Sequence, residues 1–158
     1  ARVVGIDFSA RMIELARRHH SREGVSYIEA SVLDLQPQQF PTGIRFDKVC
    51  MFESLQYFQS EQLSALLDGL LALTATRTRM YFSGVLDKER IWSFFNTPER
   101  RASYERQKAE GQEIMGHWWQ RDHIATTAGA RDLHCQFIAQ DPALNTAHYR
   151  FDVVLSRE

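Results

Sequence analysis

The side chain best placed for chemistry is the carboxylate of Asp7, which ends the β-branched run VVGID. An acid at the carboxyl end of a parallel strand faces the crevice where nucleosides bind in open α/β sheets, and its two oxygens can accept both hydroxyls of a ribose. The alternative is local, because Asp just before a helix often helps to cap it, and Ser9 marks a helix start.

A second group of reactive side chains lies in HWWQRDH, residues 117–123, which combines imidazoles with large aromatic faces. His117 is the candidate general base, because imidazole titrates near neutral pH. The alternative is a surface histidine, or a hydrogen-bonded one, beside two packing tryptophans. Because no HxxxH, HExxH or Cys/His spacing occurs, the sequence predicts no metal site.

Arginines give one neighbourhood a basic character that would steer an anionic acceptor carrying a phosphate or carboxylate. Solvated helices are the alternative reading, because acids in the same region offset much of the charge. The arginines are Arg90, Arg100, Arg101, Arg106 and Arg121.

Composition limits the classes of protein to consider. The 158 residues are 44% hydrophobic and 25% charged, which is typical of one soluble globular domain. The formal net charge of -1 favours neither nucleic acid nor a membrane surface as a partner. Cys50 and Cys135 sit in apolar runs and are interpreted as core thiols of a cytoplasmic protein.

Strands and helices alternate along the chain, which predicts a parallel sheet. A strand at 3–7, a helix after Ser9 and a strand at 25–30 form a β-α-β unit. The mostly apolar run 46–52 predicts a central strand covered on both faces.

The second half of the chain continues this alternation and ends in two strands that are predicted to be antiparallel. A helix at 60–73 precedes a strand at 80–85, and residues 87–116 predict helical segments over the sheet edge that could form a lid. A helix at 121–128 ends at Gly129, and strands at 133–139 and 148–155 predict an antiparallel pair.

Residues 4–16, VGIDFSARMIELA, resemble the second strand and following helix of the class I S-adenosylmethionine-dependent methyltransferases. The resemblance implies that Asp7 binds the cofactor ribose and that Phe8 lies beside the adenine, with a core aromatic as the alternative for Phe8. Residues 27–35 resemble the end of the family's third strand. The resemblance implies that Ser31 stands where an Asp usually accepts from the adenine amino group, and that the backbone N–H of Val32, the next residue, reaches the adenine ring. A neutral hydroxyl is a weaker acceptor than a carboxylate.

Residues 46–58, FDKVCMFESLQYF, resemble the family's fourth strand and the loop that borders the methionine part of the cofactor and the acceptor. This implies that Phe52 contacts the cofactor and that Glu53 and Tyr57 join His117 as catalytic candidates. Their alternatives are a core side chain, a partner for a surface arginine and a packing contact at a helix start. Since the family's Asn-Pro-Pro-Tyr motif is absent, the methylated atom is left open.

The closing pair of strands resembles the family's reversed seventh strand, which nicotinamide-binding Rossmann domains usually lack. The implied fold is α/β: a Rossmann-like three-layer sandwich whose mostly parallel sheet ends in an antiparallel C-terminal hairpin. Residues 1–158 are expected to form one domain, with a helical lid-like insertion at about 87–119.

The chain contains no GxGxG-like loop, and the family's first strand would lie between the strands that begin at Val3 and Phe46. We therefore expect an N-terminally truncated domain whose sheet is completed by a further segment, another chain or a second copy. The expected function is S-adenosylmethionine-dependent methylation of a small molecule or saccharide precursor. A non-catalytic methyltransferase-like binding subunit and, more weakly, an NAD(P)-dependent dehydrogenase are the alternatives.

Overall fold

The computed structural model describes residues 1–41, 43–112 and 115–158. Its elements fall into two compact units, one of residues 1–45 with 65–73 and one of residues 46–64 with 74–158. Within the described part of the chain, no helix is long and apolar enough to cross a membrane.

The first unit is built on two parallel strands, β1 (Val3–Asp7) and β2 (Val25–Glu29), which pair along their whole length. Helix α1 (Ala10–His20) connects them and contacts both strands. It begins where the sequence predicts, because Ser9 Oγ accepts from a backbone N–H of the first turn. Helix α2 (Leu63–Leu73) contributes residues 65–73 to this unit.

The second unit contains a four-stranded sheet of β3 (Phe46–Phe52), β4 (Thr74–Leu86), β5 (His134–Ala139) and β6 (Arg150–Arg157), in the order β3-β4-β6-β5. β3 and β4 are parallel, whereas β6 is antiparallel to both β4 and β5, which confirms the predicted C-terminal hairpin. The side chains in its core with at most 1% exposure include Met80, Phe82, Phe151, Val153 and Leu155.

Three helices belong to the second unit: α3 (Ile91–Phe94), α4 (Pro98–Ala109) and α5 (Arg121–Gly129). The first two confirm the helical character predicted after residue 87, and α5 ends at the predicted glycine. An aromatic cluster packs the end of β4 against α3, α4 and the segment before α5. It comprises Leu86, Ile91, Phe95, Tyr104, Trp118 and Tyr149, with Phe94 and Met115 packed against it.

A β-bulge interrupts the pairing of β4 with β6. β4 advances from Phe82 to Val85 while β6 moves only from Val153 to Phe151, so β4 carries one extra residue. The bulge contains Gly84, whose φ of 71° is a left-handed conformation that glycine adopts without steric cost.

A buried carboxylate fastens this bulge. Asp152 Oδ1 accepts from the Gly84 backbone N–H at 2.9 Å, from Ser83 Oγ at 3.1 Å and from Gln140 Nε2 at 2.9 Å, and Tyr81 Oη donates to Oδ2. Burial alone would raise the pKa of Asp152, but these hydrogen bonds outweigh it and hold the pKa below its ordinary value. The same bond to Asp152 raises the pKa of Tyr81.

The sheet differs from the sequence-based expectation at β3. This strand pairs only with β4, and Phe52 is 65% exposed, so the prediction of a central strand covered on both faces is wrong for these residues. Cys50 is exposed rather than a core thiol, because it lies on the same uncovered face. Among the described strands, β1 pairs only with β2.

Two strand boundaries also differ. β4 begins at Thr74 rather than near Met80, because alternating threonines extend the ladder through a polar stretch that lacks the apolar signal of a strand. β6 begins at Arg150 rather than His148, because Tyr149 N–H and Arg150 N–H both donate to Thr146 O in a turn.

We predict that Asp152→Asn lowers the free energy of unfolding at pH 7 by about 2 kcal/mol, because charge-assisted hydrogen bonds are lost in a buried site. Since the folded pKa lies below the ordinary value, the wild-type contribution is present above that value and is lost as the pH falls through the folded pKa. Urea unfolding at several pH values should show a smaller acid loss in the variant. The exposed carboxylate of Asp47 provides the control, and an equal effect of Asp47→Asn would contradict the assignment.

Candidate functional site

Asp7 lies half-buried at the carboxyl end of β1, as predicted. Its Oδ1 accepts from the Ser9 backbone N–H at 2.8 Å, so it does assist the start of α1. Oδ2 has no recorded protein partner within the described residues. A carboxylate offers about four lone-pair positions, so this local role leaves capacity for a ligand hydroxyl.

Three further predicted cofactor residues lie at the same end of the first unit. The Ala30 backbone N–H donates to Asp7 O at 3.0 Å, which joins the ends of β1 and β2. Ser31 follows, and its Oγ accepts from Leu33 N–H at 3.2 Å to open a short 3-10 turn that contains Val32. Phe8 is 79% exposed, so the core alternative for it is wrong.

The loop after β3 carries the predicted residues of the second unit. Glu53 has a φ of 48°, and its backbone N–H extends the ladder by donating to Ser83 O at 2.8 Å. Phe52 meets the Tyr81 ring edge to face, with centroids 6.1 Å apart. The exposures of 65% for Phe52 and 73% for Tyr57 rule out buried packing roles for both.

His117 is tied to this loop by its backbone and its ring. Its N–H donates to Gln56 O at 2.8 Å, and its Nε2 lies 2.8 Å from Ser60 Oγ. The ring meets Trp119 edge to face at 4.7 Å, and Trp119 Nε1 donates to Leu55 O at 3.1 Å. Sequence-distant residues 117–119 and 55–60 therefore form one structure.

The predicted site residues thus form two groups. Asp7, Phe8, Ser31 and Val32 share the strand ends of the first unit. In the second unit, His117 contacts the loop that carries Tyr57, and the same loop begins at Glu53. The roles assigned to these residues stay predictions.

The predicted basic neighbourhood is largely engaged in local contacts. The carboxylate of Asp87, with 0% exposure, pairs with Arg121 Nη2 at 2.7 Å and with Arg90 Nε at 3.5 Å. Arg100 and Arg101 lie over the rings of Phe94 and Trp92 and donate to backbone carbonyls. These arginines therefore organise the helical segment itself.

Sequence reasoning missed the polar groups buried in β6. Arg150 is 4% exposed and donates to Gly84 O, and Asp152 holds the bulge from the same strand. The sequence did contain a signal for them, because two charged residues lie inside the apolar run YRFDVVL and charged side chains are rarely buried without a specific role.

No metal-binding group emerges where the structure is described: no three His, Cys, Asp or Glu residues there could hold an ion together. Both cysteines are free, and burial raises the pKa of the Cys135 thiol to about 11. A thiol with that pKa is almost entirely protonated at neutral pH and is a poor nucleophile.

Residues 1–76 match a family model described as a methyltransferase domain. No curated protein matches the chain in sequence. Solved structures do match the fold, with low identity. The magnesium protoporphyrin IX methyltransferase of Synechocystis PCC 6803, with bound SAH, aligns with 100% of this chain at 16% identity and a TM-score of 0.65.

Two other solved methyltransferases are similar in fold. The plantazolicin methyltransferase BpumL aligns with 100% of the chain at 13% identity and a TM-score of 0.69. The N-methyltransferase NodS of Bradyrhizobium japonicum WM9, also with SAH, aligns with 99% at 17% identity and a TM-score of 0.62. The chain spans 65%, 68% and 66% of the lengths of these three proteins in turn. At these low identities, the similarity shows that the chain shares the fold of these methyltransferases.

We predict that Gly116→Ala disrupts the contact between residues 117–119 and the loop after β3. Gly116 has a φ of 85°, and an added Cβ would lie 2.4 Å from Gln56 O, so strain and a backbone clash combine. Urea unfolding should show a loss of about 3 kcal/mol.

Gly111→Ala is the matched control. Gly111 has a φ of 67°, but no atom of the described residues, apart from its chain neighbours, lies within 4 Å of an added Cβ, so only the backbone strain of about 1 kcal/mol applies. Equal losses for the two variants would show that the contact with Gln56 contributes nothing.

Proposed function

We propose that this chain, which has the fold of the class I S-adenosylmethionine-dependent methyltransferases and matches a methyltransferase-domain family over residues 1–76, acts as such an enzyme on a small molecule or saccharide precursor. The observation that carries the proposal is the carboxylate of Asp7 at the carboxyl end of β1, inside the matched residues. This is where nucleosides bind in open α/β sheets.

The residues of the first unit fit the nucleoside part of the cofactor. Asp7 Oδ2 can accept a ribose hydroxyl while Oδ1 keeps its bond to Ser9 N–H. Ser31 Oγ accepts from Leu33 N–H and retains a second lone pair and its own proton for an adenine edge. When bound, S-adenosylmethionine supplies a methyl group activated by its sulfonium.

Transfer of that methyl group is an in-line displacement, so the protein gains most by aligning the acceptor and excluding water. A base is needed only where the acceptor loses a proton. His117 is our proposed base, because its imidazole belongs to the structure formed with the loop after β3. Glu53 and Tyr57 on that loop are the other candidates.

A non-catalytic binding subunit is the second proposal, and the neutral Ser31 in place of a carboxylate favours it. In that case the chain binds the cofactor product weakly or not at all and methylates no compound in a screen. The two proposals therefore differ in a direct binding measurement.

We predict that Asp7→Asn weakens binding of S-adenosylhomocysteine at least tenfold, which is about 1.4 kcal/mol and typical of a lost charge-assisted hydrogen bond. The amide oxygen still accepts from Ser9 N–H, so the start of α1 is preserved. Isothermal titration calorimetry measures the change.

Ser9→Ala is the control for the helix. It removes the Oγ bond to Met12 N–H at 3.3 Å and leaves the carboxylate in place, so stability falls while affinity is unchanged. Absence of S-adenosylhomocysteine binding by the wild type, or equal affinity of Asp7→Asn, would refute the proposed site.

We predict that His117→Gln lowers kcat about 100-fold or more for an acceptor that must lose a proton and leaves S-adenosylhomocysteine affinity unchanged. Glu53→Gln and Tyr57→Phe are measured beside it. If kcat is unchanged in His117→Gln and falls in only one of these two variants, the residue changed in that variant is the base instead.

A further inference from the structure

Arg150 is a buried cation that forms no ion pair with the described residues. It is 4% exposed, and its guanidinium donates through Nη1 to Gly84 O. Its Nε is buried and has no hydrogen-bond partner in the same part of the chain. The ion pairs in the described part of the chain involve Arg11, Arg90 and Arg121, but not Arg150.

Burial of an unpaired charge is costly, and an unsatisfied donor adds to that cost. The buried carboxylate of Asp152, on the same strand, already accepts four hydrogen bonds from other groups. The planar guanidinium fork matches a carboxylate in size and geometry. The guanidinium of Arg150 is therefore suited to bind an anionic group.

The surroundings of Arg150 combine a charged loop with flat apolar surfaces. A Cβ on Gly84 would lie 3.5 Å from Arg150 Nη1 and 2.7 Å from Glu53 Cγ, so both side chains pass beside this glycine. The guanidinium lies 5.4 Å from the centre of the Tyr149 ring. Tyr149 in turn packs on Phe94 at 4.7 Å and on Trp118 at 6.2 Å.

Trp118 adds a second unsatisfied group to this neighbourhood. It is 5% exposed, and its indole Nε1–H is buried and meets no acceptor among residues 1–41, 43–112 and 115–158. Buried tryptophan N–H groups usually find a partner. Arg150 and Trp118 therefore both lie beside the Tyr149 ring and each carries an unmatched donor.

We propose that Arg150 binds the carboxylate of the methyl acceptor and that Phe94, Trp118 and Tyr149 of the aromatic cluster receive a planar part of the same molecule. This assignment rests on the proposed methyltransferase function and narrows its acceptor to an anionic, planar small molecule. Arg150, Trp118 and Tyr149 are each less than one-tenth exposed, so binding requires this cluster to open. Because residues of α3 and α4 pack on Trp118 and Tyr149, we assign the role of the lid to these two helices.

The test uses the full chain with benzoate, its neutral analogue benzamide and acetate as probes, measured by calorimetry. Benzoate should bind at least tenfold more tightly than benzamide, because only benzoate pairs with the guanidinium, and more tightly than acetate, which lacks the ring. Equal affinities for benzoate and benzamide would overturn the proposal.

Variants of Arg150 separate this role from general effects of charge. Arg150→Met should lose the preference for benzoate over benzamide, and Arg150→Lys, which keeps a donor and the charge, should weaken benzoate binding while retaining part of that preference. If Arg150→Met does not fold, the benzoate affinity of Arg150→Lys tests the proposal instead. An affinity of Arg150→Lys for benzoate equal to that of the wild type would refute the assignment. Arg157→Met is the matched control on the same strand, because Arg157 bonds to Thr76 O near the far end of β6.

S-adenosylhomocysteine binding distinguishes the source of the carboxylate. Unchanged affinity in Arg150→Lys supports an acceptor carboxylate, whereas a tenfold loss would assign Arg150 to the methionine carboxylate of the cofactor and overturn the proposal. A wild type that selects benzoate but does not bind S-adenosylhomocysteine would refute the proposed methyltransferase function and leave an anion site at Arg150.

Discussion

The extra residue in β4 is the constraint on which the second unit depends. Gly84 has left-handed backbone dihedrals that other residues adopt only under strain, and this turns the last residues of β4 out of the regular register with β6. The Asp152 carboxylate accepts from its N–H and the Arg150 guanidinium donates to its O. One glycine therefore positions both buried charges, and the space that its missing side chain leaves is occupied by Glu53.

Much of the local structure could be predicted because it depends on near neighbours. The β-branched run before Asp7, the cap at Ser9 and the glycine at the end of α5 each specify a strand, a helix start or a helix end within a few residues. β3 was located correctly for the same reason. Asp7 was identified as a candidate site residue because an acid at a strand end has a recognisable position in the sequence.

The remainder depends on contacts between distant residues, which local patterns do not encode. The exposure of Cys50 follows from which elements cover β3, and the start of β4 at Thr74 follows from its ladder partner at Phe46. The contact of His117 with the loop at Gln56 and Ser60 joins segments about 60 residues apart. The burial of Arg150 is a property of the bulge opposite it, and the sequence shows the bulge only as one glycine among eight.

The distribution of tryptophan gives the two units different optical properties. All three tryptophans, Trp92, Trp118 and Trp119, belong to the second unit, and the first unit contains none. Tryptophan fluorescence, excited selectively, therefore reports on the second unit and not on β1, α1 and β2. Far-ultraviolet circular dichroism, which detects α1 as well, samples both units. Denaturation curves from the two signals coincide only if the units unfold together, so the placement of three side chains makes the cooperativity of the chain directly measurable.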